Sequence, residues 1–260
     1  MLPFLPLIHI ITSYGLAPVN DSIFNIACRY MDLFLQIGVP GFEYSRSDMS
    51  PKVRFIGPLL PHKQAQSQGF VQADKLNKYQ KVILISQGTV DNKEPEKLII
   101  PTIEALKDSP YLLIAATGYV KTEELRQKYA QANVIIEDFI DFSYILPHTD
   151  VFVTNGGYGS TFLSLTNQVP IVAAGLHEGK NEICARIGYF KVGVNLKTER
   201  PRAAQIKKSV EQILANDMYR KNVIALKEEF NRYPALALCE QYIEEVLTTT
   251  TEPRSKLSII

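Results

Sequence analysis

The chain predicts an α/β protein in which a parallel sheet is covered by helices on both faces. Two observations carry this. Short uninterrupted apolar runs, such as Val82 to Ser86, Tyr111 to Ala116 and Asp150 to Val153, read as strands buried on both sides, because a strand with one wet face would alternate. These runs take turns with stretches of helical spacing, the order that builds a parallel sheet. A third observation sharpens the picture: from Asp150 to Ile187 the chain reads strand, glycine loop, helix, strand.

Composition sets the outer limits. With 260 residues, 46% of them hydrophobic, the chain is long enough for one large domain or one and a fraction. Lys and Arg (28) nearly balance Asp and Glu (27), so a nucleic-acid binder, which shows a basic excess or stripe, is not expected. Cys28, Cys184 and Cys239 stand singly, which fits reduced thiols in a cytoplasmic protein and not a disulfide framework or a zinc site. Met1 to Thr12 is apolar but holds Pro3 and Pro6 and no basic start. It reads as neither a signal peptide nor a transmembrane segment.

In chain order, Ile23 to Leu35 is expected as a helix capped by Asp21 or Ser22. His62 to Asn77, polar and rich in Gln and Lys, reads as a linker. Beyond it Val82 to Ser86 is a strand, Pro95 to Leu106 a helix and Tyr111 to Ala116 a strand. Thr122 to Ala130 is a helix, Asn133 to Glu137 a strand and Phe142 to Leu146 a short helix. After the glycine loop, Ser160 or Thr161 is placed to cap a helix carrying Phe162, Leu163 and Leu165. A strand at Val169 to Ala174, a helix at Gly179 to Ile187 and a strand at Lys191 to Asn195 follow. Helices near Ala203 to Leu214, Asn216 to Arg232 and Ala235 to Leu247 precede a polar tail expected to be disordered.

In open α/β sheets ligands sit beyond the carboxyl ends of the strands. The loop Asn155-Gly156-Gly157-Tyr158-Gly159-Ser160 lies at such an end and opens a helix. Glycines allow close backbone approach, and helix-start amides favour an anion, phosphate above all. The loop is neither the dinucleotide fingerprint nor a P-loop. A tight turn with no ligand is the alternative.

The same loop, followed by Gln168-Val169-Pro170, by Glu178 to Glu182, by Cys184-Ala185-Arg186 and by Val192-Gly193-Val194, resembles the donor-binding domain of nucleotide-sugar glycosyltransferases of the GT-B fold. The resemblance is to the UDP/dTDP-sugar family that includes macrolide, glycopeptide and sterol glycosyltransferases, and it runs from about Gly38 to Leu247. It implies a Rossmann-like sheet, the C-terminal half of GT-B, over 63–247. Residues 1–62 then correspond to the tail of an acceptor-binding domain and the start of the linker, and 248–260 to the disordered tail.

The resemblance also implies a donor site. Ser86, Gly88 and Thr89 correspond to a phosphate-lining loop that joins the two domains, with a plain turn as the alternative. Phe139 and Ile140 fall beside the nucleobase, where an aromatic can stack, although a core role for Phe139 is the simpler reading of the residue alone. Asn155, Gly156, Gly157, Gly159, Ser160 and Thr161 would hold the diphosphate. Asn155 stands where relatives commonly carry His, so an uncharged amide replaces a charged donor. Glu178 and Lys180 fall near the donor-sugar hydroxyls, with a solvated helix start as the alternative.

The function implied is metal-independent, inverting transfer from a UDP- or dTDP-sugar, the donor substrate, to a small lipophilic or phenolic acceptor. No metal or cofactor is expected. The relatives' general base lies near the start of their acceptor domain and has no clear counterpart here, so the catalytic residues stay unassigned. The chain is expected to bind the donor but to need an acceptor domain or subunit for transfer. The alternative is a nucleotide-sugar-binding module without activity of its own.

Overall fold

The computed structural model describes residues 5–15, 31–60, 70, 72–88 and 93–249. Two parallel sheets are present. A small one pairs β1 (Phe34–Ile37) with β2 (Val53–Gly57). The large one holds β3 (Val82–Ser86), β4 (Leu112–Ala116), β5 (Val134–Glu137), β6 (Val151–Thr154), β7 (Ile171–Ala173) and β8 (Gly193–Asn195) in the order β5-β4-β3-β6-β7-β8. From β3 the chain winds outward to β5, returns to β6 beside β3, and winds the other way to β8. The order therefore reverses between β3 and β6, and Ser86 pairs with Thr154 across that seam.

Helices follow the strands as the apolar periodicity requires. They are α1 (Leu5–Ser13), α2 (Ala73–Leu76), α3 (Ile99–Leu106), α4 (Thr122–Lys128), α5 (Phe142–Ile145), α6 (Tyr158–Thr166), α7 (Lys180–Tyr189), α8 (Ala203–Leu214), α9 (Met218–Phe230) and α10 (Ala235–Thr249). Every residue of β3, β6 and β7 is buried, which is why those runs do not alternate in sequence. Their side chains still alternate in space. Ile83 and Ile85 pack with Ile99, Ile103, Ile206 and Val210 on one face, while Leu84 packs with Leu112, Ile145 and Phe152 on the other. A third cluster ties the small sheet on: Val39 and Phe42 pack against Phe162 and Leu165 of α6 and Phe230 of α9.

Several expected boundaries shift. Phe34 and Leu35, expected to end a helix, lie in β1, where they pair with Val53 and Arg54; residues 23–30 fall outside the described residues. The helix expected from Pro95 begins at Ile99. Pro101 is the reason, since it has no N–H to offer the Lys97 carbonyl and the ladder cannot extend further back. The end of the expected linker is a helical turn, α2, that buries Leu76. The last helix runs to Thr249, two residues into the expected tail, and 250–260 fall outside the described residues. Among the described residues no helix is long and apolar enough to cross a membrane.

Candidate functional site

The seam between β3 and β6 sets the site, because the loops leaving those two strands diverge and open a crevice. From β3 comes Ser86-Gln87-Gly88. The Gly88 backbone is left-handed (φ +85°), and its amide donates to the Ser86 hydroxyl at 3.3 Å. From β6 comes the glycine loop. Asn155 is buried and its side-chain amide spans the seam: Nδ2 donates to the Gln87 carbonyl, and Oδ1 accepts from the Gly157 amide at 3.3 Å. Asn155, expected as a diphosphate ligand, is thus committed to bracing the two loops.

Gly156 is left-handed (φ +77°), and a Cβ there would stand 2.4 Å from the Cys184 sulfur, so the glycine is required by the chain's own packing. Gly159 differs. It is exposed in the first turn of α6, and a Cβ added to it would meet nothing within 4 Å beyond its own turn of helix. The space in front of it is open.

The N-cap of helix α6 is Gly157, three residues ahead of Ser160, with no side-chain cap. Ser160 is not the cap. It sits inside the first turn and its hydroxyl donates back to the Gly157 carbonyl at 3.0 Å. The first intrahelical bond is Thr161 N to Gly157 O, 3.0 Å, so the amides of Tyr158, Gly159 and Ser160 precede the ladder and point along the axis toward the crevice. Thr161, expected among the donor-binding residues, is fully buried. Its amide is engaged, and its buried hydroxyl has no hydrogen-bond partner among the described residues.

Around this centre lie the remaining strand ends. Phe139 follows β5 and is 72% exposed; it is no core aromatic, and its ring is open for stacking. Ile140 is buried among Ile145 and Leu146, which leaves only its backbone for recognition. Asp141 caps α5 by accepting from the Ser143 amide at 2.8 Å. Thr89 falls outside the described residues. Glu178 and Lys180 follow β7 and pair with each other at 2.8 Å, Glu178 exposed and Lys180 covered. β5 stands three strand spacings from β6, roughly 14 Å, so Phe139 and the glycine loop flank a crevice of nucleotide length.

Sequence reasoning missed the link between this site and the small sheet. Tyr158, the first residue of α6, donates its hydroxyl to the Ile37 carbonyl and accepts from Gln36 Nε2 at 3.2 Å. Burial pushes its phenol up. Nearby, Arg186 of α7 donates from one nitrogen, Nη2, to both carboxylate oxygens of Glu43, 2.8 and 3.0 Å, and lies over the Tyr44 ring. Between them is a cavity of about 200 Å³ lined by Gln36, Phe42, Phe55, Tyr158 and Phe162. The signal in the sequence was the Gly-Phe-Glu-Tyr stretch at 41–44, whose partner lies more than a hundred residues away.

A doubly wound parallel sheet with a glycine-lined helix start at its order reversal defines a class, the α/β units that hold anionic, nucleotide-like ligands. Comparison with known proteins makes the class specific. Residues 119–245 match the model of the erythromycin biosynthesis protein CIII-like C-terminal domain. UDP-glycosyltransferase 2 of Phaeomoniella chlamydospora is 34% identical over 241 residues, covering 90% of this chain and 52% of that protein. The 4'-demethylrebeccamycin synthase of Lentzea aerocolonigenes is 35% identical over 230 residues, covering 88% and 53%. Among solved structures, the calicheamicin glycosyltransferase CalG4 superposes with a TM-score of 0.73 at 19% identity, over 95% of this chain and 59% of that one; at that identity the likeness concerns the fold. The chain belongs to the glycosyltransferases of the GT-B fold and carries their C-terminal domain. It spans about half the length of the curated relatives it matches.

Proposed function

We propose that the chain binds a UDP- or dTDP-sugar in the crevice between β3 and β6 and serves metal-independent, inverting transfer of the sugar to a small lipophilic or phenolic acceptor. The observation that carries this is the start of α6: three amides ahead of the first intrahelical bond, beside a glycine whose front is open. In such a transfer a base removes the acceptor hydroxyl proton, the oxygen attacks the anomeric carbon from the face opposite the leaving group, and the C–O bond to the diphosphate breaks. Charge develops on the departing diphosphate, and fixed amides at the helix start stabilise it without reorganising. Phe139 stacks on the pyrimidine, and the β7–α7 loop with Glu178 meets the sugar.

The base belongs to an acceptor-binding region. His9 is exposed on α1, and among the described residues nothing orients it for a proton transfer. A second reading, a donor-binding module completed by a separate acceptor chain, is favoured by α10, none of whose residues is buried. Both readings exclude nucleic acid as a partner on charge. Both include a cytoplasmic setting, which the free thiols of Cys184 and Cys239 suit. The test common to both is calorimetry with UDP, dTDP and NAD: a pyrimidine diphosphate is expected to bind, and binding of NAD with neither of the others would refute the donor site.

A further inference from the structure

The glycine loop poses a question of charge. A diphosphate brings at least two negative charges, yet Asn155 is neutral and its amide is used as a brace. Among the described residues, Lys97, Lys121, Lys180 and Arg200 lie near the carboxyl end of the sheet, each beside a carboxylate: Lys97 and Arg200 with Glu94, Lys121 with Glu96 and Lys180 with Glu178. They differ in depth. The side chains of Lys121 and Arg200 are 42% and 59% exposed, those of Lys97 and Lys180 17% and 11%. Solvent and salt screen the first two far more than the last two.

Of the two covered lysines, Lys180 packs against the loop. A Cβ on Gly175 would lie 3.0 Å from Lys180 Cβ, and one on Gly156 would lie 3.8 Å from the Lys180 carbonyl oxygen. The Cys184 sulfur, which a Cβ on Gly156 would also meet, is 3.9 Å from the Asn155 carbonyl. Lys180 is the first residue of α7, where the helix dipole already favours an anion and a lysine is the less favourable choice. Helix start and ammonium therefore reinforce one another. Glu178, exposed and left-handed at φ +57°, is an anion that a ligand can displace.

We propose that Lys180 is the charge-compensating ligand of the donor diphosphate, exchanging Glu178 for phosphate oxygens when the nucleotide binds and supplying the positive charge that Asn155 lacks. The inference rests on the donor-site reading above and assigns within it a residue that selects diphosphate over bare nucleoside.

The experiment is calorimetry with UDP and with uridine on the native chain, on Lys180→Met, which keeps the apolar stem, and on Glu178→Gln, with circular dichroism to confirm folding. Lys180→Met is expected to weaken UDP by about 10- to 150-fold, the worth of one charge-assisted contact, to leave uridine unchanged and to flatten the salt dependence. Glu178→Gln, which removes one anion that competes for Lys180, is expected to strengthen UDP binding and serves as the test if Lys180→Met does not fold. Equal losses for UDP and uridine, or no loss of UDP, would overturn the role of Lys180 while leaving the donor site standing. A native chain that binds neither compound would overturn both.

Discussion

At the scale of single residues, three glycines of one loop have separate reasons to be glycine. Gly156 answers to the chain: alanine there would combine a left-handed backbone with a methyl group 2.4 Å from sulfur. Gly156→Ala is expected to destabilise the fold by about 2–4 kcal/mol, measured by denaturant unfolding. Gly157 serves the N-cap, and Gly159 faces open space. Ser160→Ala removes a hydroxyl bonded to Gly157 O and is expected to weaken UDP by about 1 kcal/mol, read by the same calorimetry. The loop was legible in the sequence because glycines after an apolar run have few uses. Asn155 and Thr161 were not. Whether an amide faces a ligand or a carbonyl 68 residues away, and whether a threonine lies inside a helix turn or before it, depends on neighbours that no local pattern records.

At the scale of elements, α7 joins the site to the rest of the chain through Cys184 and Arg186. Burial pushes the Cys184 thiol from 9.0 up to about 11, so the folded state holds its proton where the unfolded state releases it. The stability this represents is complete below pH 9 and is lost as pH rises from 9 through 11. The free energy of unfolding measured against pH is expected to fall over that window, and Cys184→Ala to make the fall shallower; an unchanged slope would contradict it. Arg186 and Glu43 are each under a fifth exposed, so Arg186→Ala strands a covered carboxylate and is expected to cost about 2–3 kcal/mol by denaturant unfolding. Lysine would restore only part, having no planar guanidinium to lie over the Tyr44 ring. Periodicity revealed the elements around this junction because the same burial that fixes β3, β6 and β7 made their sequences uniformly apolar. It misplaced the start of α3, where Pro101 truncates an otherwise helical pattern, and read β1 as helix, since a four-residue strand on a small sheet carries too little sequence to show its period.

At the scale of the whole molecule, the parallel sheet was readable from alternation, but its order was not, because strand order is set by long-range packing and not by any one segment. That order matters most, for it brings Gln87 and Asn155 together. α10 shows the opposite case. Its pattern implies a covered face, yet β2 covers only one flank, with Arg54 over Tyr242, and Leu236, Ile243 and Leu247 form an exposed stripe. Light scattering is expected to show association that grows with concentration and is relieved by Leu236→Lys with Leu247→Lys; a clean monomer throughout would show the stripe to be inert. The central claim is that the space before α6 belongs to a diphosphate. Gly159→Val tests it most directly, because a Cβ there meets nothing within 4 Å beyond its own turn of helix, so the variant should leave the fold intact while filling the ligand's place. Titrated with UDP beside the native chain, the variant is expected to unfold at the same denaturant concentration and to show no binding. A folded Gly159→Val chain that binds UDP as tightly as the native one would contradict the account.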